Sequence, residues 1–344
     1  MPHDYMITTR RVRRGRFDGE PGPTRYLKVP DGAGVPAPDH ELRGRRGVAR
    51  WISEVRDLAD GQPGPASISI CGDVLVYVHG YNTGIDDAMA RQRTIARNLS
   101  DEGWVGVVIG FDWPSEKSVL NYLEDRSDAK ATARYLVEGG IRRLSEGQDA
   151  GCQTNVHLLG HSTGAYVIRE AFRQSVSEGN LFRSHWRVGQ VAFVSADLSA
   201  SSLSRTSRGS RAMFDRLMRL TNYSNPYDAV LGASNAKRLG VSPRAGRSGL
   251  PGDPHPKSVN VNCGEVFKQS MTNNAEASAR LGHSWYFENE IFMRDFAMTL
   301  EGAIDRNAFP TRRREDGELV LQDGDRLGFM GNLRLREDFN LDRA

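Results

Sequence analysis

Cysteine is scarce in this sequence of 344 residues, which contains three, Cys71, Cys152 and Cys263. An odd number of widely spaced cysteines argues against a framework of disulfide bonds. The sequence also lacks the Cys-x-x-Cys pairs that many structural zinc sites use, so no such site is predicted. We therefore expect the protein to work in a reducing compartment.

Long apolar segments are missing as well. No stretch approaches the roughly 20 consecutive apolar residues that a membrane-spanning helix needs. Residues 1–16 are polar and rich in arginine, and they lack the apolar core of a signal peptide. These absences predict a cytoplasmic protein without a membrane span.

The sequence has no large excess of charge of either sign. Its 46 lysines and arginines and its 43 aspartates and glutamates leave a formal net charge of +3, and the basic residues are spread along the chain. A dedicated nucleic-acid binder usually clusters its basic residues, so no nucleic-acid partner is predicted. Because a metal-ligand cluster, a Walker loop and a dinucleotide fingerprint are also missing, we expect neither a metal ion nor an organic cofactor.

The sequence does contain a series of short, nearly continuous apolar runs. They lie at Val74–Val78, Val105–Ile109, Val156–Leu159 and Val191–Val194, and two further strands are predicted at Leu217–Tyr223 and Ser258–Cys263. Such runs are typical of strands that are buried on both faces. Helical segments lie between them, at Asp86–Leu99, Ser118–Leu144 and Thr163–Val176. This alternation predicts an α/β fold, a mostly parallel sheet with helices on both faces.

The remaining segments predict how the chain is organised. Residues 1–60 are expected to pack on a core that spans residues 61–302, and residues 303–344 form a charged tail. Residues 232–256 are rich in Gly, Pro, Ser and Arg, and we expect them to form a loop excursion over the sheet that gates the pocket. The other predicted elements are strands at Tyr5–Arg11, Thr24–Val29 and Glu318–Leu321, and helices at Arg46–Leu58 and Glu288–Leu300.

The segment Val156–Ala165 carries the chemistry. An apolar strand ends in Gly160-His161-Ser162-Thr163-Gly164, and a helix begins at once. This order of strand, sharp turn and helix is the context of the G-x-S-x-G nucleophile elbow. The serine of such a turn has a strained backbone, so the residues two positions away must be small, as both glycines are. N–H groups at the start of the helix point toward the developing oxyanion. Ser162 is therefore the predicted nucleophile.

A second motif follows the strand at Val74–Val78, which ends in His79-Gly80-Tyr81-Asn82. The next strand leads into a Trp-Pro-Ser turn at residues 113–115. Together with the Gly-His-Ser-Thr-Gly turn, these motifs resemble the α/β-hydrolase superfamily. They are most similar to a poorly characterised bacterial branch that has this His-Gly-aromatic-Asn loop and a Trp-Pro-Ser turn. The resemblance covers roughly residues 72–300.

The resemblance implies an α/β-hydrolase fold with a serine hydrolase site. It implies an oxyanion hole formed by the backbone N–H groups of Tyr81 and Thr163. The side chain of His79 would then be structural and would brace the loop that carries Tyr81.

The catalytic partners follow the serine in this fold in the order acid, then histidine. Of the eight histidines, His185, His255 and His283 follow Ser162. His185 precedes a predicted strand, and His255 lies between two prolines. His283 comes after the last predicted core strand and just before the last helix, where the superfamily places its catalytic histidine. The resemblance therefore implies His283 as the base.

Two aspartates at strand ends compete for the position of the acid. Asp228 follows the strand Leu217–Tyr223 in an Asn-Pro-Tyr-Asp turn, and Asp197 follows the strand before it. The acid of this fold usually follows the second of these strands, so Asp228 is the predicted acid. Asp197 remains the alternative acid. In the other interpretation it is structural and bonds to backbone amides of its own turn.

These residues predict a carboxylic-ester hydrolase that acts on a small-molecule acyl ester through an acyl-enzyme on Ser162. Thioester hydrolysis, amide hydrolysis and lipid deacylation on the same triad stay open, because specificity depends on the pocket rather than on the fold. A non-catalytic binding protein that kept the fold is the alternative of a different class. The sequence predicts neither the acyl and alcohol specificity nor the oligomeric state.

Overall fold

The computed structural model describes residues 3–60, 72–115, 122–145, 155–177, 186–237, 243–272 and 281–326. Within these ranges, ten strands form one sheet in the order β2-β1-β4-β3-β5-β6-β7-β8-β10-β9. The strands are β1 (His3–Arg13), β2 (Arg16–Pro30), β3 (Asp73–Val78), β4 (Val107–Asp112), β5 (Asn155–His161), β6 (Val188–Val194), β7 (Leu217–Ser224), β8 (Ser258–Asn262), β9 (Arg312–Glu315) and β10 (Glu318–Leu321).

Most of the strands run parallel to one another. The neighbouring strands β4, β3, β5, β6, β7 and β8 are all parallel. At the two ends of this series, β1 pairs parallel with β4 and β10 pairs parallel with β8. The edge strands β2 and β9 pair antiparallel with their hairpin partners. This arrangement, with helices on both faces, confirms the predicted fold class. The strand predicted at Val105–Ile109 lies at Val107–Asp112 instead.

Helices connect the strands and cover both faces of the sheet. They are α1 (Gly44–Asp60), α2 (Ile85–Asp101), α3 (Tyr122–Tyr135), α4 (Arg142–Ser145), α5 (Thr163–Ser177), α6 (Arg208–Arg216), α7 (Ala229–Lys237), α8 (Ala245–Ser248), α9 (Gly264–Thr272), α10 (Leu281–Ser284) and α11 (Glu290–Glu301). Short 3₁₀ turns lie at Pro38–His40, Ala200–Leu203 and Trp285–Glu288.

The single helix predicted over Ser118–Leu144 is interrupted. A π-helical turn at Leu136–Ile141 separates α3 from α4, and residues 118–121 lie outside the described ranges. The hydroxyl of Tyr26, on the N-terminal hairpin, donates to the carbonyl of Gly139 at 2.8 Å. The hairpin thus provides a hydrogen-bond donor for a carbonyl inside the widened turn. The helical pattern of the sequence could not reveal this contact between two elements.

Strand β3 shows why the apolar runs are continuous. Val74, Val76 and Val78 face one core cluster, which also contains buried residues of α1, α3 and α5. Leu75 and Tyr77 face the other cluster, with residues of α2 and α11. Successive side chains of a strand point to opposite faces, and both faces are covered, so the five positions of β3 from Val74 to Val78 carry no charged side chain.

The N-terminal hairpin and the helix after it pack as one unit on the edge of the sheet. The rings of Tyr5 and Tyr26 lie edge-on to Trp51 of α1, with centroids 5.8 Å and 5.3 Å away. The indole N–H of Trp51 donates to the carbonyl of Leu27 at 2.8 Å. All of these contacts join the strands predicted at Tyr5–Arg11 and Thr24–Val29 to the predicted helix.

The excursion expected at residues 232–256 is packed more closely than its composition indicates. Its first residues complete α7, and residues 238–242 lie outside the described ranges. Arg244 is buried, and a Cβ on Gly246 would lie 2.1 Å from the backbone nitrogen of Ala196. The backbone around Gly246 therefore packs directly against the residues that follow β6, while gating of the pocket by this excursion stays a prediction.

The C-terminal hairpin completes the opposite edge of the sheet, and a buried ion pair attaches it. Arg312 donates to Asp295 of α11 at 2.6 Å and 2.7 Å, and both side chains are 0% exposed. Tyr223 and Thr311 also donate to this carboxylate, at 2.8 Å and 2.6 Å. The short strand predicted at Glu318–Leu321 is β10 and lies beside β8.

Replacement of Arg312 tests how strongly this pair holds the hairpin. Arg312→Met leaves the Asp295 carboxylate buried without its cation, so we expect the free energy of unfolding to fall by about 3–5 kcal/mol. The matched control is Arg313→Met, because Arg313 pairs with Glu265 and Glu315 at the surface, where a pair contributes about 1 kcal/mol or less. Urea unfolding of both variants measures the difference. Equal midpoints would contradict the expectation.

Candidate active site

Ser162 forms the turn between β5, which ends at His161, and α5, which begins at Thr163. Its φ angle is +53°, in the left-handed region that residues other than glycine rarely adopt. Two backbone hydrogen bonds of 3.0 Å hold the turn. The N–H of Ser162 donates to the carbonyl of Val194, and the N–H of Asp197 donates to the carbonyl of Ser162. The surrounding structure thus fixes a strained serine at the end of the strand.

Glycine is required around this turn because several backbones meet there. A Cβ on Gly164 would lie 2.1 Å from the carbonyl oxygen of Val78, at the end of β3. A Cβ on Gly80 would lie 2.9 Å from the Cβ of Ser162. The segment that follows β3 therefore lies directly against the serine side chain.

Asp228 and His283, the predicted acid and base, are in contact. Oδ2 of Asp228 lies 2.7 Å from Nδ1 of His283, and the carboxylate is 0% exposed while the imidazole is 13% exposed. The other carboxylate oxygen accepts the N–H of Leu231 at 3.0 Å, near the start of α7. Both oxygens of Asp228 are bonded, so its orientation is fixed, and Nε2 is the ring nitrogen of His283 that does not face this carboxylate.

Asn225, which the sequence analysis did not assign, connects the acid turn to the histidine segment. Its side-chain oxygen accepts the N–H of Tyr227 at 3.0 Å, and its Nδ2 donates to the carbonyl of Gly282 at 3.3 Å. The Asn-Pro dipeptide was a signal for a turn in the sequence. The partner, Gly282, precedes the base and is brought here only by the fold.

His161, the residue before Ser162, also contacts His283, and no motif in the sequence indicated this contact. Its Nε2 lies 2.9 Å from the carbonyl oxygen of His283, and the two rings are 4.9 Å apart between centroids. Burial lowers the pKa of His161 well below its ordinary value, and the electrostatic effect of the neighbouring His283 ring lowers it further. The neutral ring therefore donates its Nε2–H to this carbonyl and holds the backbone of His283.

The other candidates for the acid and the histidine are Asp197, His255 and His185. Oδ1 of Asp197 lies 3.1 Å from Nε of Arg244, and both side chains are buried. His255 stacks on Phe214 with ring centroids 3.9 Å apart, and burial lowers its pKa. His185 lies outside the described residues.

Tyr81 and Thr163, expected to supply the oxyanion hole, come from the two segments that meet at the serine. Thr163 is the first residue of α5, and Tyr81 follows Gly80. His79, expected to be structural, is buried and lies with its Nδ1 2.8 Å from the carbonyl oxygen of Gly80. Its ring stacks on Trp113 at 5.3 Å between centroids.

The described residues contain no group of three His, Cys, Asp or Glu side chains placed to hold a metal ion. Cys263 is buried, and burial raises the pKa of its thiol. None of the helices within the described ranges has the length and apolar character that crossing a membrane requires.

Comparison with known proteins finds a match over most of the chain. A family model described as an alpha/beta hydrolase of unknown function (DUF900) matches residues 68–299. No curated protein matches the chain.

Three similarities to solved structures are weak. The RedJ thioesterase of the prodiginine biosynthetic pathway in Streptomyces coelicolor is 15% identical over 72% of this chain and 95% of that one, with a TM-score of 0.29. An extracellular alpha/beta-hydrolase from a Paenibacillus species is 14% identical over 55% and 77%, with a TM-score of 0.25. A hyperthermophilic esterase from Pyrobaculum calidifontis is 11% identical over 65% and 78%, with a TM-score of 0.26. At these TM-scores the similarities carry no argument about function.

The close approach at Gly164 can be tested by replacing this glycine with alanine, which adds one methyl group. Gly164→Ala puts this group 2.1 Å from the carbonyl oxygen of Val78, so α5 or β3 must move. We expect a loss of at least about 2 kcal/mol in the free energy of unfolding, as overpacking of a close-packed site typically costs. Gly140→Ala is the control, because its Cβ would meet nothing nearer than Ile7 at 3.5 Å. Equal urea midpoints for the two variants would show that the elbow tolerates the shift.

Proposed function

The chain belongs to the family of alpha/beta hydrolases of unknown function whose model matches residues 68–299, and from this membership we propose that it is a serine hydrolase that cleaves carboxylic esters through an acyl-enzyme on Ser162. The observation that carries the proposal is the contact of 2.7 Å between Asp228 and His283, residues 55 positions apart in the chain. A fully buried carboxylate bonded to a partly exposed imidazole is the arrangement that orients a general base. The strained serine at the end of β5 supports the same proposal.

The proposed reaction begins when Ser162 attacks the acyl carbonyl and Nε2 of His283 takes the serine proton. Asp228 accepts the hydrogen bond from Nδ1–H, which fixes the tautomer and stabilises the imidazolium. His283 then protonates the leaving alcohol. The backbone N–H groups of Tyr81 and Thr163 hold the oxyanion, and loss of one such donor typically slows a reaction on the order of a hundredfold or more.

A water molecule completes the cycle by attacking the acyl-enzyme with His283 again as the base. Thioester hydrolysis, amide hydrolysis and lipid deacylation would use the same steps and differ in the leaving group or the acyl chain. The experiments on function therefore vary both the acyl chain and the leaving group of the substrate.

The nucleophile can be identified with a fluorophosphonate probe. We expect the probe to label the wild-type protein and not Ser162→Ala, because the modification requires an activated hydroxyl. Ser195→Ala is the matched control, since Ser195 is also a buried serine with positive φ at the end of a strand. Labelling that persists in Ser162→Ala, or that fails in the wild type while a reference esterase reacts, would contradict the proposal.

The same variants, assayed on nitrophenyl esters of increasing acyl length, report the acyl preference. A thioester and an anilide of the best acyl group then compare the leaving groups. We expect ester hydrolysis to be the fastest of the three reactions and to disappear in Ser162→Ala. Labelling without turnover of any of these substrates would argue against ester hydrolysis as the function.

The acid can be identified by two isosteric changes. Asp228→Asn should lower kcat on the order of ten-thousandfold, because the amide no longer fixes the correct tautomer of the base. Asp197→Asn should keep most of the activity and instead lower the thermal stability, since Arg244 loses its charged partner. Steady-state kinetics and thermal unfolding measure both effects. The reverse result, an inactive Asp197→Asn and an active Asp228→Asn, would assign the acid to Asp197.

A further inference from the structure

Arg10 is the residue through which the N-terminal hairpin reaches the candidate site. It lies near the end of β1 and is 4% exposed. Because β1 runs parallel to β4, with Thr8 opposite Asp112, this arginine comes to the carboxyl edge of the sheet. The segments that follow β3 and β4 lie at the same edge, beside the serine.

The guanidinium of Arg10 binds both of these segments. Its Nε donates to the two carboxylate oxygens of Asp112, each at 2.9 Å. Its Nη2 donates to the carbonyl of Thr83 at 2.9 Å and to that of Trp113 at 3.0 Å. Its Nη1 lies 3.3 Å from the carbonyl oxygen of Ser115. One side chain therefore crosslinks the segment after β3 to the turn after β4 through their backbones.

Asp112 extends the same connection to His79. Its Oδ1 lies 3.1 Å from Nε2 of His79, and its Oδ2 accepts the hydroxyl of Thr8 at 2.5 Å. Nδ1 of His79 in turn donates to the carbonyl of Gly80 at 2.8 Å. Burial alone would raise the pKa of Asp112, but the charge of Arg10 and the neighbouring His79 hold this pKa below its ordinary value. The carboxylate thus stays ionised and keeps both partners.

The segment between these contacts contains Tyr81. Gly80 is held through His79, and Thr83 is held by Arg10 and by the Oγ of Ser115, which accepts the N–H of Thr83 at 3.0 Å. Between them, Asn82 has a φ angle of +54°. Such a strained conformation persists where contacts of the neighbouring residues hold the backbone in place.

We propose that Arg10 is a positioning residue for the reaction, which fixes the segment Gly80–Thr83 so that the N–H of Tyr81 meets the oxyanion. This role rests on the proposed serine hydrolase function. It needs an arginine, because a guanidinium presents several N–H donors in one plane, whereas the ammonium of a lysine is a compact charge. A lysine here keeps a charge beside Asp112 but cannot also reach the carbonyls of both segments.

Arg10→Lys therefore separates the ion pair from the crosslink, and Arg312→Lys is its matched control. Arg312 forms a buried ion pair with Asp295 at the other edge of the sheet. The kinetics use a short-chain nitrophenyl ester, and the affinity for a trifluoromethyl ketone reports on the tetrahedral oxyanion. Near-UV circular dichroism and thermal unfolding measure the folded fraction and the stability.

Both variants should lose thermal stability, since each weakens a buried pair. Arg10→Lys should in addition lose about a hundredfold in kcat, the typical effect of one lost oxyanion donor, with little change in KM. Its affinity for the ketone should fall by a similar factor, because the ketone adduct carries the same oxyanion. Arg312→Lys should keep the kcat and the ketone affinity of the wild type.

Folded Arg10→Lys protein with wild-type kcat and ketone affinity would overturn the positioning role and leave the proposed function intact. A wild-type protein that neither hydrolyses the ester nor binds the ketone would overturn both. If Arg10→Lys does not fold, Thr8→Val is the milder variant, because it removes the hydrogen bond to Asp112 and the acceptor of the Arg10 N–H but keeps the guanidinium. Its kcat and ketone affinity should fall together, by a smaller factor, and unchanged values of both would overturn the role.

Discussion

The rest of the structure depends on one close approach, in which the first turn of α5 packs against the end of β3. The carbonyl oxygen of Val78 lies 2.1 Å from where a Cβ of Gly164 would be, so no side chain fits there. Because the helix must start at this place, the chain reverses within one residue and Ser162 takes a φ angle of +53°. The same approach brings the segment that carries Tyr81 to the serine. The position of Ser162, the proposed nucleophile, and that of the segment with Tyr81 are therefore set by one packing contact.

Buried ion pairs attach the two outer hairpins to this centre. Arg10 and Arg312 lie in the hairpins, and their partners Asp112 and Asp295 lie within the matched residues 68–299. A charge left alone in the interior destabilises a protein strongly, so each hairpin is coupled to the core by electrostatics as well as by strand pairing. The two pairs differ in what else the arginine touches. Arg10 reaches backbone carbonyls beside the candidate site, whereas Arg312 donates to the hydroxyl of Thr299 and to the carbonyl of Arg306 at the other edge of the sheet.

Much of the fold could be predicted because its signals are local. Strands buried on both faces are mostly apolar along their length, and these runs predicted the central parallel strands. The nucleophile turn could be recognised from the glycines around Ser162, and the order along the chain pointed to Asp228 and His283. The errors lie where another element intervenes. Tyr26 bonds into the helix predicted as continuous, and the backbone of Gly246, within the predicted excursion, packs closely on that of Ala196.

The sequence by itself determined the elements of the sheet and the local turns of the candidate site, because periodicity and turn chemistry depend on residues a few positions apart. Only the tertiary structure decided which polar groups become partners. His161 meets His283 across 122 positions, and Arg10 meets Thr83 across 73. A donor takes its acceptor from whichever element packs beside it, and a charged residue such as Arg10 gives no sign in the sequence that it is buried. The contacts that hold His283 and the segment Gly80–Thr83 could therefore be found only in the folded chain.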